Sequence, residues 1–97
     1  MKIEFTGEED QRIRALPESG HGMSNFDHVI DDGLEADLRA GLTGHHAAWE
    51  FSGVVWFDAR LGQFCEAVRR YHALVGVVAA PTLRELMEEV NDEYGWN

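Results

Sequence analysis

Five histidines, one cysteine and eighteen carboxylates are the side chains of this sequence that could do chemistry. His28 stands three residues before Asp31 and four before Asp32. On a helix that spacing sets an imidazole beside a carboxylate and supplies part of a metal site. A zinc or iron centre needs at least one further ligand held nearby, and neither HExxH nor paired CxxC spacing occurs. An exposed helical ion pair is the plainer reading of His28, Asp31 and Asp32. His45 and His46 follow Gly44 and are expected in a loop before a strand. Cys65 and His72, seven residues apart on one expected strand, fall on opposite faces, which counts against a thiol–imidazole dyad. Cys65 therefore reads as a buried structural residue. Eighteen acids make chance carboxylate pairs inevitable, and no GxGxxG, Walker A or GxSxG motif is present. The expectation is a non-enzymatic protein with no cofactor.

The elements that would position these groups follow from periodicity. Residues 1–24 read as a short strand (Lys2–Phe5), a short surface helix capped by Thr6 and Glu9 and stopped at Pro17, and a loop. Residues 25–41 read as a helix carrying Phe26, Val29, Ile30, Leu34 and Leu38 on one stripe, with Gly33 as its weak point. Residues 46–80 alternate at period two and form antiparallel strands. The first carries Trp49, Phe51, Val55 and Phe57 on one face, with Val54 and Trp56 on the other. Ala59–Gly62 supplies a hairpin connection, whereas no strong turn dipeptide separates the strand ending at His72 from Leu74–Ala80. Residues 64–80 are thus one bulged strand or two. Residues 82–94 form an amphipathic helix: Thr82 and Glu85 make a capping box, Leu83, Leu86, Met87, Val90 and Tyr94 share a face, and Gly95 terminates it. The expected fold is α+β, an antiparallel sheet of three to four strands packed with two to three helices in a single domain. Its helix–three strands–helix order resembles that of double-stranded-RNA-binding domains, but the matching helices here are acidic where those are basic.

Charge is unevenly placed. Residues 1–41 hold ten acidic and four basic residues, 42–80 three of each, and 81–97 five acidic and one basic, for a net charge of -10. Such a body repels phosphate backbones and anionic lipid, which argues against direct nucleic-acid or membrane binding. The apolar fraction of 44% argues against disorder, and the longest uncharged apolar run, Ala73–Pro81, is too short to span a bilayer. A single cysteine and no basic-then-apolar leader suggest a cytoplasmic setting. The acidic residues either solvate helix exteriors or face a basic partner. Carboxylates at i and i+4 lie about 6 Å apart, near the spacing of successive phosphates, so an acidic helix can imitate nucleic acid towards a DNA- or RNA-binding protein.

The two-faced apolar strand requires either a helix over each sheet face or an exposed patch that meets a partner or a second copy, giving a homodimer through the hairpin. Trp56, Arg69, Arg70 and Tyr71 have the composition of an interface hot spot. Glu85, Glu88, Glu89, Asp92 and Glu93 form a second, acidic candidate surface. If Trp56 is instead an ordinary core residue, its N–H should be satisfied.

The stretch Ala47–Asn97, through "WEFSGVVWF", "RRYHALVG" and "TLRELMEEVNDEYGW", resembles small proteins of no assigned activity encoded by actinobacteria and their phages. The resemblance covers about the last half of the chain and carries over no catalytic or binding residue. It implies a context in which small acidic phage proteins bind and divert a host protein. The expectation is a protein-binding module, with an acidic nucleic-acid mimic or a small metal- or ligand-binding protein as alternatives.

Overall fold

Period-two apolar alternation through the middle of the chain and helical spacing towards its ends produce one sheet with helices on both faces. The computed structural model describes residues 1–16, 21–22, 32–48 and 50–95, with the side chains of residues 21, 32, 46 and 48 outside that set. The strands are β1 (Lys2–Ile3), β2 (His21–Gly22), β3 (Gly44–Ala48), β4 (Phe51–Asp58), β5 (Gln63–Arg70) and β6 (Ala73–Ala80). The helices are α1 (Gly7–Arg14), α2 (Asp32–Arg39) and α3 (Leu83–Tyr94). The sheet order is β1-β6-β5-β4-β3-β2. Five strands pair antiparallel, and the two-residue β2 adds in parallel to β3.

The class is α+β, but the strand count exceeds the expected three to four. The chain reverses between Ala48 and Phe51, which pair across β3 and β4, so the stretch from Gly44 to Asp58 is two strands. His45 and His46 consequently lie in β3 and not in a preceding loop. Residues 64–80 likewise divide into two strands, joined by Tyr71 and His72. A bulge accompanies that hairpin: Val68 faces Gly76 and Arg69 faces Leu74, leaving Val75 as the extra residue of β6. The stretch expected as helix from residue 25 is described only from Asp32, where α2 begins.

Directly paired residues share a sheet face, so the register sorts the core into two layers. Val55, Phe64, Val68, Val78 and Ala80 meet Leu38 of α2 and Leu83, Leu86, Met87 and Val90 of α3. Trp56, Cys65, Ala67, Val77 and Ala79 meet Ile13 of α1, with Ile3, Phe5 and Leu16 packed at the margin. Of the two arrangements the two-faced strand allowed, the described residues show helices over both sheet faces. α1 qualifies despite its thin apolar content because Ile13 alone is buried completely enough to anchor it. Each fully buried aliphatic side chain contributes roughly 1.5–3 kcal/mol.

α3 follows its sequence signals closely. The Thr82 hydroxyl oxygen accepts from the Glu85 backbone N–H at 3.2 Å, and Gly95 closes the helix at φ 60°. Glu35 of α2 accepts from the Leu83 N–H at 2.9 Å, so a carboxylate from a neighbouring helix satisfies another donor that has no partner within α3, at the helix's positive end. Thr6 stands at the N-cap of α1 as expected but makes no side-chain capping bond.

Candidate functional site

Trp56 belongs to the core and not to a partner surface. It alternates outward from the Phe51–Val55–Phe57 face, as expected, but α1 covers that side and leaves it 7% exposed against Ile13 and Cys65. Its indole N–H is buried without an acceptor, contrary to the expectation that a core tryptophan here would be satisfied.

The other hairpin residues gather at the β5–β6 turn. Tyr71 and His72 both hold positive φ, 49° and 70°. A two-residue hairpin favours that geometry, but it normally recruits Asn-Gly or Asp-Gly. Each bulky residue in the left-handed region costs roughly 1–2 kcal/mol. Neighbouring groups hold the turn in place. The Tyr71 N–H donates to the Glu50 carbonyl at 2.9 Å. The Arg69 guanidinium donates to the carbonyls of His72 at 3.0 Å and Arg14 at 2.7 Å, tying the turn to the end of α1. Arg70 pairs with Glu50 at 2.8 Å and lies 5.8 Å from the Phe51 ring and 5.7 Å from the Tyr71 ring. Hydrogen bonds from Arg70 and then Tyr71 lower the Glu50 pKa, and Glu50 in turn raises that of Arg70. Tyr71 nonetheless remains 72% exposed. A hollow of about 600 Å3 opens beside it, lined by Ala47, Glu50, Phe51, Ser52, Tyr71 and His72.

The acidic surface of α3 divides. Glu89 pairs with the Met1 ammonium group and Glu93 with Lys2 at 3.0 Å. The Glu93 hydrogen bond raises the Lys2 pKa. Glu85, Glu88 and Asp92 are exposed and form no ion pair among the described residues. The C-terminal end of α3 comes to the turn end of the sheet, where Tyr94 packs on Phe51 with ring centroids 6.2 Å apart. The two surfaces proposed from sequence are therefore neighbours, joined through Tyr94, Phe51 and Arg70.

A feature absent from the sequence reading is Glu66, 0% exposed on the inner face of β5 between Phe64 and Val68. A methyl group added at Gly53, on the adjacent strand, would overlap its carboxylate. Gly76 likewise makes room for the Tyr94 hydroxyl, which is buried without a hydrogen-bond partner. Burial is the main cause of the raised Tyr94 pKa. The available signal for Glu66 was its period-two relation to Phe64 and Val68, which places a carboxylate in an apolar row.

Burial pushes the Cys65 thiol up to about 12, which opposes nucleophilic use. Among the described residues no group of three His, Cys, Asp or Glu side chains could hold a metal ion. His28 and Asp31, and the side chain of Asp32, lie outside the described residues. No helix among the described residues is long and apolar enough to cross a membrane.

Comparison with known proteins adds no assignment. No protein-family model, curated protein or solved structure matches the chain.

Proposed function

We propose that this chain is a non-enzymatic protein-binding module that presents the Tyr71–His72 turn to a partner, in keeping with the resemblance to small phage and actinobacterial proteins and with a host protein as target. The observation that carries this reading is an exposed tyrosine in a left-handed backbone, fixed by Arg69, Arg70 and Glu50. Backbone strain retained at an exposed aromatic is a common property of recognition sites. The adjacent hollow offers a partner side chain a place beside the Tyr71 ring. Tyr71→Gly separates binding from folding. Glycine accepts the positive φ, which offsets the loss of the Tyr71 hydrogen bond to Glu50, so the variant should stay within about 1 kcal/mol of wild-type stability while losing the ring. Affinity capture from a host lysate with wild-type and Tyr71→Gly baits should show one partner depleted from the variant. Identical captured sets from the two baits would refute the proposal.

A second reading, an acidic mimic of nucleic acid, is favoured by Glu85, Glu88 and Asp92, which are exposed along one helix and form no ion pair among the described residues. It predicts partner binding that weakens with salt and competes with DNA or RNA. Neutralising all three with Gln and Asn should abolish that competition, and competition that survives the change excludes these residues as the mimic.

A further inference from the structure

The opposite end of the sheet, where β4 turns into β5, carries a cation of a different kind from the rest. Among the described residues Lys2, Arg12, Arg14, Arg60 and Arg70 each pair with a carboxylate, and Arg69 donates to two backbone carbonyls. Arg39, the last residue of α2, does neither. Its guanidinium carbon lies 5.2 Å from the Phe57 ring centroid and 5.3 Å from that of Phe64. Those rings meet edge to face at 5.1 Å. Aromatic contact on one side restrains the planar guanidinium while its N–H donors remain available to solvent. Arg84, exposed in the first turn of α3, also has no carboxylate partner among the described residues, but it lacks the aromatic seat.

Apolar side chains stand at the same end. Leu42 follows α2, with its N–H bonded to the Asp37 carbonyl, and is 46% exposed. Leu61 lies in the β4–β5 connection, with its N–H on the Asp58 carboxylate, and is 47% exposed. Both backbones are held, so these leucines are presented on fixed supports. Arginine seated on aromatic rings, at the same end of the sheet as exposed leucines, has the character of an interface hot spot. Covering the rings would account for the stem of Arg39 but not for a guanidinium that meets no carboxylate among the described residues.

We propose that Arg39, with Leu42 and Leu61, is a docking surface for a partner-protein segment presenting one carboxylate between apolar side chains. The carboxylate takes the guanidinium through paired N–H···O bonds, and the apolar neighbours cover the leucines. Charge selects this occupant in two ways. The cation requires an anion, while the surrounding net charge of -10 opposes one that is strongly acidic, which disfavours a nucleic-acid strand. A phosphate group would also leave both leucines uncovered. The inference rests on the protein-binding reading but uses a surface at the other end of the sheet from Tyr71, so either can fail alone.

The test uses the full chain labelled with nitrogen-15 and amidated hexapeptides containing one glutamate among leucines, beside matched peptides with glutamine. The Arg39 side-chain N–H and the Leu42 and Leu61 amides should shift together and saturably with the glutamate peptide. The glutamine peptide should bind about tenfold more weakly, the loss expected for removing a charge-assisted pair. Arg39→Lys, which keeps the charge but not the planar fork, should lose a similar factor while retaining a folded spectrum. Equal binding of the two peptides, wild-type affinity in Arg39→Lys, or no saturable shift would overturn the proposal. So would the same shifts on concentrating the chain alone, because a second copy would then be the occupant.

Discussion

Trp56 and Cys65 face each other across β4 and β5, and both test the layer beneath α1. Trp56→Ala removes a buried ring and should cost about 3–5 kcal/mol, so a binding defect in that variant would report unfolding. Trp56→Phe should cost much less than the alanine change, because it also removes an indole N–H buried without an acceptor. Chemical denaturation of both variants checks the ordering. Cys65 makes a complementary prediction. Burial raises the folded thiol pKa from 9.0 to about 12, so the fold favours the neutral thiol. The resulting stability is present below pH 9 and declines as pH rises towards the folded value, by of order 4 kcal/mol at most. Cys65→Ala should flatten this alkaline decline even if its packing loss lowers stability at every pH. Denaturation series between pH 8 and about 11 measure the difference. An unchanged alkaline slope would locate the titration elsewhere.

At the scale of elements, legibility followed the locality of the signal. α3 could be read because its cap, apolar stripe and terminator lie within fourteen residues, Thr82–Gly95, and each acts on its neighbours. Thr82→Ala should therefore cost about 1 kcal/mol, seen as a lower denaturation midpoint with an unchanged denaturant slope. The β5–β6 turn escaped the sequence reading because Tyr71 and His72 are poor turn formers. What holds them is distant in sequence: Glu50 on the β3–β4 connection and the Arg14 carbonyl at the end of α1. The same limit hid the burial of Trp56 and Glu66. Alternation assigned each to a face, but only the placement of α1, or the Gly53 backbone beside Glu66, determines what covers that face. The turn end of the candidate site was thus partly legible as a cluster of Arg69, Arg70 and Tyr71, whereas its aromatic link to Tyr94 required the packed helix.

Across the molecule, a net charge of -10 on 97 residues sets long-range repulsion against a few local ion pairs. The local pairs are exposed: Arg70–Glu50, Lys2–Glu93, Arg14–Asp10 and the Glu9 pairs with Arg12 and Arg60. Pairs of this kind are individually weak, and salt screens them. Repulsion among the surplus carboxylates acts over longer distances, so it is relieved first as the Debye length falls from about 30 Å at 0.01 M salt to about 8 Å at 0.15 M. Stability should therefore rise over that salt range. A gain of about 1 kcal/mol would move the melting temperature up by roughly 4–8 °C for a domain of this size. Acid probes the opposing term. Arg12 above all lowers the Glu9 pKa, and Arg70 lowers that of Glu50. A carboxylate with a depressed folded pKa contributes stability above its unfolded value, and that contribution disappears as pH falls through the folded value. Melting curves at both salt levels should thus converge on acidification, because protonation removes the repulsion that salt would screen and then the pairs that salt would weaken. A melting temperature that falls with salt at neutral pH would mean that the local pairs outweigh the global repulsion, and the acidic exterior would then be a stabilising network in place of a self-repelling charge surplus.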